Sequence, residues 1–508
     1  MPGPPNGRNS LRTGAQPSPH PVAKGKMART SFIRTRARRY KALAAASIAV
    51  LAAAMLGTTA SAAPKQAAGL PAKVVVDWNA NAVDAVIKAK TTNGVPSIPP
   101  GGRGITNAEG FVYLGYAQAA VYDSVTKIAG RYVPYHPFAA DARGASVHEA
   151  VIAAEYWTLF RLFSGPTFKD TGDSIVDTAN QAVRDLLTAQ YQAAIPASPT
   201  ASQAAGLAVG KAAADDILSF RAGDGRNAAT AAYGQGPLAP GLWIFAPPPS
   251  AQFPATPWLG FMQPFLLNSS SQFHPGPPPA LTSKAYTKQF NEVKAYGAKN
   301  STVRSPEQTA IAYFWIANAF AQYNKAFRDL VTAHNMDLVD AARAMAIADL
   351  VASDSVIACW ESKYTYQFWR PTTAIQHADI DGNPNTVADP SWQPLLTTPN
   401  HPDYLSGHGC LTGAMADVFA KLLGTKRINV DIPGAQGGAN TLTTSQHFAT
   451  VKDLLKQIVD ARVWNGYHFR GSVEAGVVLG HRVANWTLKR YFLPVDDEND
   501  GGDHGGND

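Results

Sequence analysis

A chain of 508 residues, 45% apolar and 16% charged, holds enough hydrophobic material for a sizeable core and is too apolar for disorder throughout. Its two cysteines exclude a disulfide scaffold and any cysteine-rich zinc or iron–sulfur module. The formal charge of +7 belongs to the N-terminal segment, because ten Lys and Arg and no Asp or Glu precede residue 63; without them the balance is −3, which removes the basis for a nucleic-acid reading.

Residues 1–62 read as a leader. Arg34 to Lys41 form a cationic stretch, Ala42 to Leu56 an Ala-rich apolar stretch, and Ala60-Ser61-Ala62 a small-residue cleavage site. These are the parts of a secretory signal cut before Ala63, with an uncleaved membrane anchor as the alternative. Arg38-Arg39 has the form of a twin-arginine signal, although the residues after it fit that form poorly, and Met27 is a second candidate start. No later run reaches ~18 uninterrupted apolar residues, so the expectation is an exported, soluble protein. In an oxidising compartment Cys359 and Cys410 either pair or remain two buried thiols, and the sequence leaves both open.

The remaining pattern is helical, and the fold class expected is all-α. Residues 63–236 form an N-terminal helical region, with apolar periodicity over 80–89, 110–128 (Asn107 as cap), 146–163, 173–191 and 201–220. Residues 237–282 break the series. Twelve prolines lie between Pro237 and Pro279, a density that excludes helix interiors and central strands. Trp243, Phe245, Phe253, Trp258, Phe261 and Phe265 argue against a disordered linker, so an ordered, extended wrap over the helical core is expected. Residues 283–495 form a second helical domain, with helices over 283–297, 306–327, 336–369, 407–423, 450–463 and 472–492. The Asp/Gly-rich tail, 496–508, is expected to be disordered.

Three short segments of the second domain concentrate chemistry. In Lys363-Tyr-Thr-Tyr-Gln-Phe-Trp-Arg370-Pro371 the two cations are seven residues apart, close to two helical turns, which places them on one face together with Tyr366. Cations stacked without an interleaved carboxylate call for an external anion. In His401-Pro-Asp-Tyr-Leu-Ser406-Gly407-His408, Ser406 stands at the N-cap of the helix that follows. The free N–H groups and positive dipole end of such a terminus attract anions, Gly407 admits close approach, and His408 titrates near neutrality. In Arg462-Val-Trp-Asn-Gly466-Tyr-His468, Asn465-Gly466 signals a helix end that brings His468 back toward Arg462. Guanidinium neighbours hold an imidazole neutral, free to act as nucleophile or ligand. Together the segments supply three cations, a helix N-terminus, a hydroxyl and two histidines, a cradle for a tetrahedral oxyanion such as phosphate or vanadate. A zinc site from His377, Asp379, His401 and His408 fits poorly, since the spacing is wrong and adjacent Lys and Arg repel the ion. The run 379–383 has its glycine misplaced for a calcium loop and reads as an Asx turn.

The ordered blocks K-x6-R-P, S-G-H and R-x5-H resemble the superfamily of vanadium-dependent haloperoxidases and type 2 phosphatidic-acid phosphatases, and the flanking Trp78-Asn79, Pro277-Pro-Pro-Ala-Leu281, Phe314-Trp315 and Phe368-Trp-Arg-Pro371 resemble its bacterial secreted haloperoxidase branch. The resemblance covers nearly all of the chain after the leader. It implies two four-helix bundles and a vanadate cofactor. His468 would bind vanadium axially, or attack phosphorus in a phosphatase. Lys363, Arg370, Arg462, Ser406 and the Gly407 amide would hold the equatorial oxygens, and His408 would be the acid–base residue. Trp360 matches an aromatic of the halide pocket, and His401 stands where algal bromoperoxidases carry histidine, which favours bromide over chloride. Two positions depart from the family: Leu405 replaces a proline, and Ser472 stands where many relatives carry aspartate, so the carboxylate orienting the site histidine is left open. The implied activity is halide oxidation by hydrogen peroxide, with a small organic acceptor as a further partner. The alternatives are a secreted acid phosphatase working through a phosphohistidine and a non-catalytic relative retaining the pocket.

Overall fold

The computed structural model describes residues 69–91, 105–165, 174–245, 254–437 and 441–495, all of them within one unit, residues 65–508. The leader, the acidic tail and Phe253 lie outside the described residues. Thirteen α-helices and one short hairpin are present among those residues. Five helices form the N-terminal region: α1 (Lys73–Thr91), α2 (Asn107–Ala129), α3 (Val147–Leu162), α4 (Ser174–Ala194) and α5 (Ala201–Phe220). Eight follow: α6 (Lys284–Tyr296), α7 (Pro306–Phe314), α8 (Ala319–Ala333), α9 (Leu338–Tyr366), α10 (Pro371–Gln376), α11 (Gly407–Leu423), α12 (Val451–Trp464) and α13 (Arg470–Thr487). The all-α expectation holds. None of the described helices is long and apolar enough to cross a membrane.

Local chemistry sets the helix ends. Thr106, not Asn107, caps α2, forming a reciprocal pair with Glu109, and Gly130 closes the helix at φ 65°. The same reciprocal capping opens α5 at Thr200–Gln203, α7 at Ser305–Gln308 and α12 at Thr450–Asp453. The helix expected over 306–327 is two. It breaks after Phe314 and resumes at Ala319, and the freed Trp315 carbonyl accepts a hydrogen bond from Arg462. The hairpin β1 (Val430–Gly434) and β2 (Thr444–Phe448) pairs Val430 with Phe448 and Ile432 with Gln446. Its five-residue strands are too short to have stood out in the apolar pattern.

Helix α9 is the axis of the molecule, buried over nearly its whole length and packed against α2 and α11. Among the described residues, the segment between α5 and α6 is non-helical apart from the turn Pro257–Phe261. Asp354 of α9 fastens it, its carboxylate accepting the backbone N–H groups of Phe265, Leu266 and Leu267 at 2.6, 2.8 and 2.8 Å. Further along α9, Trp360 and Tyr364 both donate to the Ala255 carbonyl, at 3.1 and 2.8 Å. Cys359 and Cys410 are both buried and both free thiols, on α9 and α11. The 379–383 run is a turn in which Asp381 accepts from the Asn383 N–H at 2.7 Å.

A buried polar network joins the two halves. Asn324 donates to Asp349 at 2.8 Å, Asn79 to Asn324 at 2.7 Å, Arg328 to Asn79 at 2.6 Å, and Gln118 to Glu155 at 2.7 Å. Burial pushes Asp349 up to about 7 and Glu155 up to about 8, against about 4 for an unfolded carboxyl. Between those values the folded state holds protons that the unfolded state has released. Stability is therefore highest below pH 4 with respect to these two groups and falls as pH rises toward 8. At about 1.4 kcal/mol per pKa unit the loss is on the order of a few kcal/mol for each group. Calorimetry from pH 5 to 8 is expected to show a falling Tm, and Glu155→Gln a flatter profile; an unchanged slope in that variant would place the proton uptake elsewhere.

Candidate active site

The three sequence blocks converge on one cavity of about 340 Å³. Trp360, His401, Gly407, His408, Arg462 and His468 line it directly. Arg370 reaches the same place from behind, with NH2 2.9 Å from His401 Nδ1 and NH1 3.2 Å from His468 Nε2. A larger, open groove of about 710 Å³ runs between α11, α12 and α13 past Lys426, Lys452 and Glu474 and contains none of the motif residues.

Each block arrives by its own local device. Lys363 lies in the last turn of α9, which stops at Tyr366 because Gln367 turns left-handed at φ 47°. Arg370 is therefore not on that helix, as the seven-residue spacing suggested. It caps α10, and Pro371 starts α10 instead of ending α9. The chain between is fixed by Trp243 N–H to the Gln367 carbonyl (2.7 Å) and Trp369 N–H to the Gly241 carbonyl (3.0 Å). The two cations share the site through this turn. Tyr366 faces away and donates to the Pro275 carbonyl at 2.6 Å.

Ser406 caps α11, its hydroxyl accepting the Gly409 N–H at 3.4 Å, so the Gly407 end of the helix opens at the cavity. A Cβ on Gly407 would come within 3.1 Å of the Trp360 ring, so the approach is close on this side too. The third block turns as its Asn-Gly pair indicates. Helix α12 ends at Trp464, Gly466 is left-handed at φ 79°, and the His468 N–H returns to the Arg462 carbonyl at 3.2 Å.

The electrostatics are those of an anion site. Lys363, Arg370 and Arg462 are all buried. Burial and the charge of Arg370 draw Lys363 down to about 7; burial draws Arg370 and Arg462 each down to about 10. Burial and the surrounding cations hold His401, His408 and His468 well below the ordinary imidazole value, so all three are neutral at pH 7. Lys363 gives two of its three protons to the carbonyls of Pro402 (2.7 Å) and Asp403 (3.1 Å), and the third remains for a ligand. Arg462 Nε and His408 Nε2 are buried and have no protein partner. An orphaned guanidinium donor, Arg462 Nε, beside two further basic groups and a helix N-terminus fits an oxyanion such as vanadate. Among the described residues no group of three or more His, Cys, Asp or Glu can hold a metal ion, which disposes of the zinc alternative there.

Two neighbours escaped the sequence blocks. Asp403 lies inside the second block and was passed over as loop; its Oδ1 is 2.8 Å from His468 Nδ1. The other neighbour is the wall of the cavity formed by Thr106, Asn107 and Phe111 of α2, Ala255, and Trp315 with Ile316 from the α7–α8 break. No spacing in the sequence links these segments to the site.

Comparison with known proteins identifies the architecture. Residues 343–496 match the family model of the VCPO second helical-bundle domain. Vanadium chloroperoxidase of Curvularia inaequalis is 28% identical over 219 residues, and the match spans 35% of this chain and about a third (35%) of that protein. Among solved structures, a bacterial vanadium-dependent iodoperoxidase superposes with TM-score 0.65 at 20% identity, covering 84% of this chain and 99% of its own. An apo-type bacterial vanadium-dependent chloroperoxidase gives 0.60 at 16% identity, covering 76% and 94%, and a holo-type one 0.59 at 18%, covering 79% and 96%. At these identities the likeness to the structures is one of fold.

Proposed function

We propose, for a chain whose residues 343–496 form a VCPO second helical-bundle domain on the vanadium-haloperoxidase fold, that it is an exported vanadate-dependent haloperoxidase oxidising halide with hydrogen peroxide. The observation that carries this reading is the buried cluster of Lys363, Arg370 and Arg462, three basic groups against the one carboxylate of Asp403, around His468 at the N-terminus of α11. The names of the relatives favour haloperoxidase over phosphatase, and the leader supports export.

In this reading Lys363, Arg370 and Arg462, the Ser406 hydroxyl and the Gly407 N–H would hold the oxygens of the oxyanion, and His468 Nε2 would bind its central atom. Bound vanadate would supply a Lewis acid that makes peroxide oxygen electrophilic toward halide. The three cations spread the charge of the oxyanion, and their burial makes that attraction stronger than it would be in water. His408 Nε2, the atom without a protein partner, would accept a proton from incoming hydrogen peroxide. Trp360 and His401, ring centroids 5.1 Å apart, wall the halide side, and His401 supports bromide as the preferred ion. The apolar wall of Phe111, Trp315, Val356 and Leu411 suits a small organic acceptor.

The same donors suit phosphate, so the test runs both chemistries. The purified protein is reconstituted with orthovanadate and assayed for bromination of monochlorodimedone with peroxide; a vanadate-free sample receives p-nitrophenyl phosphate. Vanadate-dependent bromination, suppressed by phosphate, is expected. Ester hydrolysis alone, inhibited by vanadate, would establish the phosphatase, and silence in both would leave a non-catalytic relative. Chloride in place of bromide tests His401.

A further inference from the structure

The two ring nitrogens of His468 have different surroundings. Arg370 Nη1 is 3.2 Å from Nε2 and 3.5 Å from Nδ1, against the ring and in line with neither nitrogen, so it does not choose between them. Nδ1 is 2.8 Å from Asp403 Oδ1, both side chains being buried. An ionised carboxylate only accepts, so Nδ1 carries the proton. Asp403 is itself held at every polar atom. Its second oxygen accepts from the Ser472 hydroxyl, and the Phe469 N–H also reaches the carboxylate. Its backbone N–H donates to the Phe368 carbonyl at 2.9 Å, and its carbonyl accepts from Lys363 at 3.1 Å. Ser472 in turn accepts the Ser406 N–H at its carbonyl, at 3.0 Å, and Ser406 is the cap of the α11 terminus.

We propose that Asp403 is the positioning residue for His468, fixing the tautomer that leaves Nε2 bare toward the anion, and that Ser472 fixes Asp403 while tying it to the oxyanion-binding end of α11. The carboxylate comes from the loop before α11. Position 472, in the first turn of α13, supplies a hydroxyl that aims the carboxylate in place of a carboxylate of its own. The axial and equatorial halves of the site are thereby one hydrogen-bonded unit. Loss of a comparable outer partner weakens a site by roughly 10–100-fold.

The role assigned to the anion rests on the reading above, but the tautomer does not, so the first readout needs neither cofactor nor turnover. Long-range 15N–1H correlation spectra of the labelled protein, with His468 assigned by its disappearance in His468→Gln, are expected to show protonated Nδ1 and bare Nε2. In Asp403→Ala the Nε2–H form is expected to grow in. Orthovanadate affinity, read by calorimetry, is expected to fall roughly 10–100-fold, with the loss of turnover in kcat more than in the KM for peroxide. Asp403→Asn, which keeps an accepting oxygen in the same shape, is expected to recover part of both, and Ser472→Ala to lose several-fold. A bare Nδ1 in the unaltered protein would overturn the proposal, and so would an Asp403→Ala protein with unchanged tautomer and affinity. A protonated Nδ1 in a protein that binds no vanadate would leave the positioning role standing and sink the haloperoxidase reading alone.

Discussion

His468→Ala is expected to abolish turnover in whichever of the two chemistries the protein performs, by more than about 10³-fold, while leaving the chain folded. In either chemistry Nε2 of this residue would make the bond to the central atom. The fold survives because the group left behind keeps its partners. Asp403 retains Ser472, the Phe469 N–H and the charge of Arg370. The vacated volume opens into a cavity already about 340 Å³ in size, where water can enter. The contrast is Arg370→Ala, which also cuts hydrogen bonds to the carbonyls of His401 (2.7 Å) and Tyr467 (2.8 Å) and so loosens the walls themselves. Turnover and thermal unfolding measured on the same His468→Ala sample decide the matter: full activity would remove this residue from the mechanism, and a large drop in Tm would make the loss of activity uninformative.

The second large effect is expected from close backbone packing and not from charge. Helices α11 and α13 cross closely because glycines face each other across the contact. A Cβ at Gly480 would lie 2.1 Å from the Cys410 carbonyl oxygen and 2.6 Å from the Ala414 nitrogen, and one at Gly413 would lie 2.5 Å from the Val477 carbonyl oxygen. The atoms met are backbone, so no rotamer change relieves the clash and the helices must part. Gly480→Ala is expected to cost about 3 kcal/mol, toward the upper end for an overpacked core. It is also expected to lower activity beyond what the loss of folded protein explains. The α11 terminus is where the anion would be held and α13 begins just after His468, so parting them would widen the site. Val478→Ala, on the half-exposed face of α13, serves as control, with an expected change within about 0.5 kcal/mol. A Gly480→Ala protein with unaltered Tm would show that the crossing is looser than described.

Much of this was legible in the sequence. Most helices lie where apolar periodicity put them, since a buried face repeats every 3.6 residues whatever it packs against. The three blocks were legible because their internal spacing is held by single turns. What could not be read was everything set between segments. The Lys363–Arg370 spacing looked helical, but a left-handed Gln367 and a strap passing over Phe368 break the helix there. Asp403 looked like loop because its partners, His468 and Ser472, are 65 and 69 residues away in the chain. The α7–α8 break was hidden because Trp315 and Ile316 continue the apolar pattern while their backbone leaves the helix.

The cavity is built by two parties with different tasks. The charged residues that would act on the bound anion come from α9, the Arg370 turn, the end of α12 and His468. Much of the opposite wall, Thr106 to Phe111 with Trp315 and Ile316, comes from α2 and the α7–α8 break, which precede the matched domain in the chain and carry none of the seven motif positions. Substitution there changes which molecules enter without changing the charges that act on them. Such a division lets selectivity drift between descendants while reactivity stays constant, and it makes the α2 terminus the place to redesign if a different acceptor is wanted.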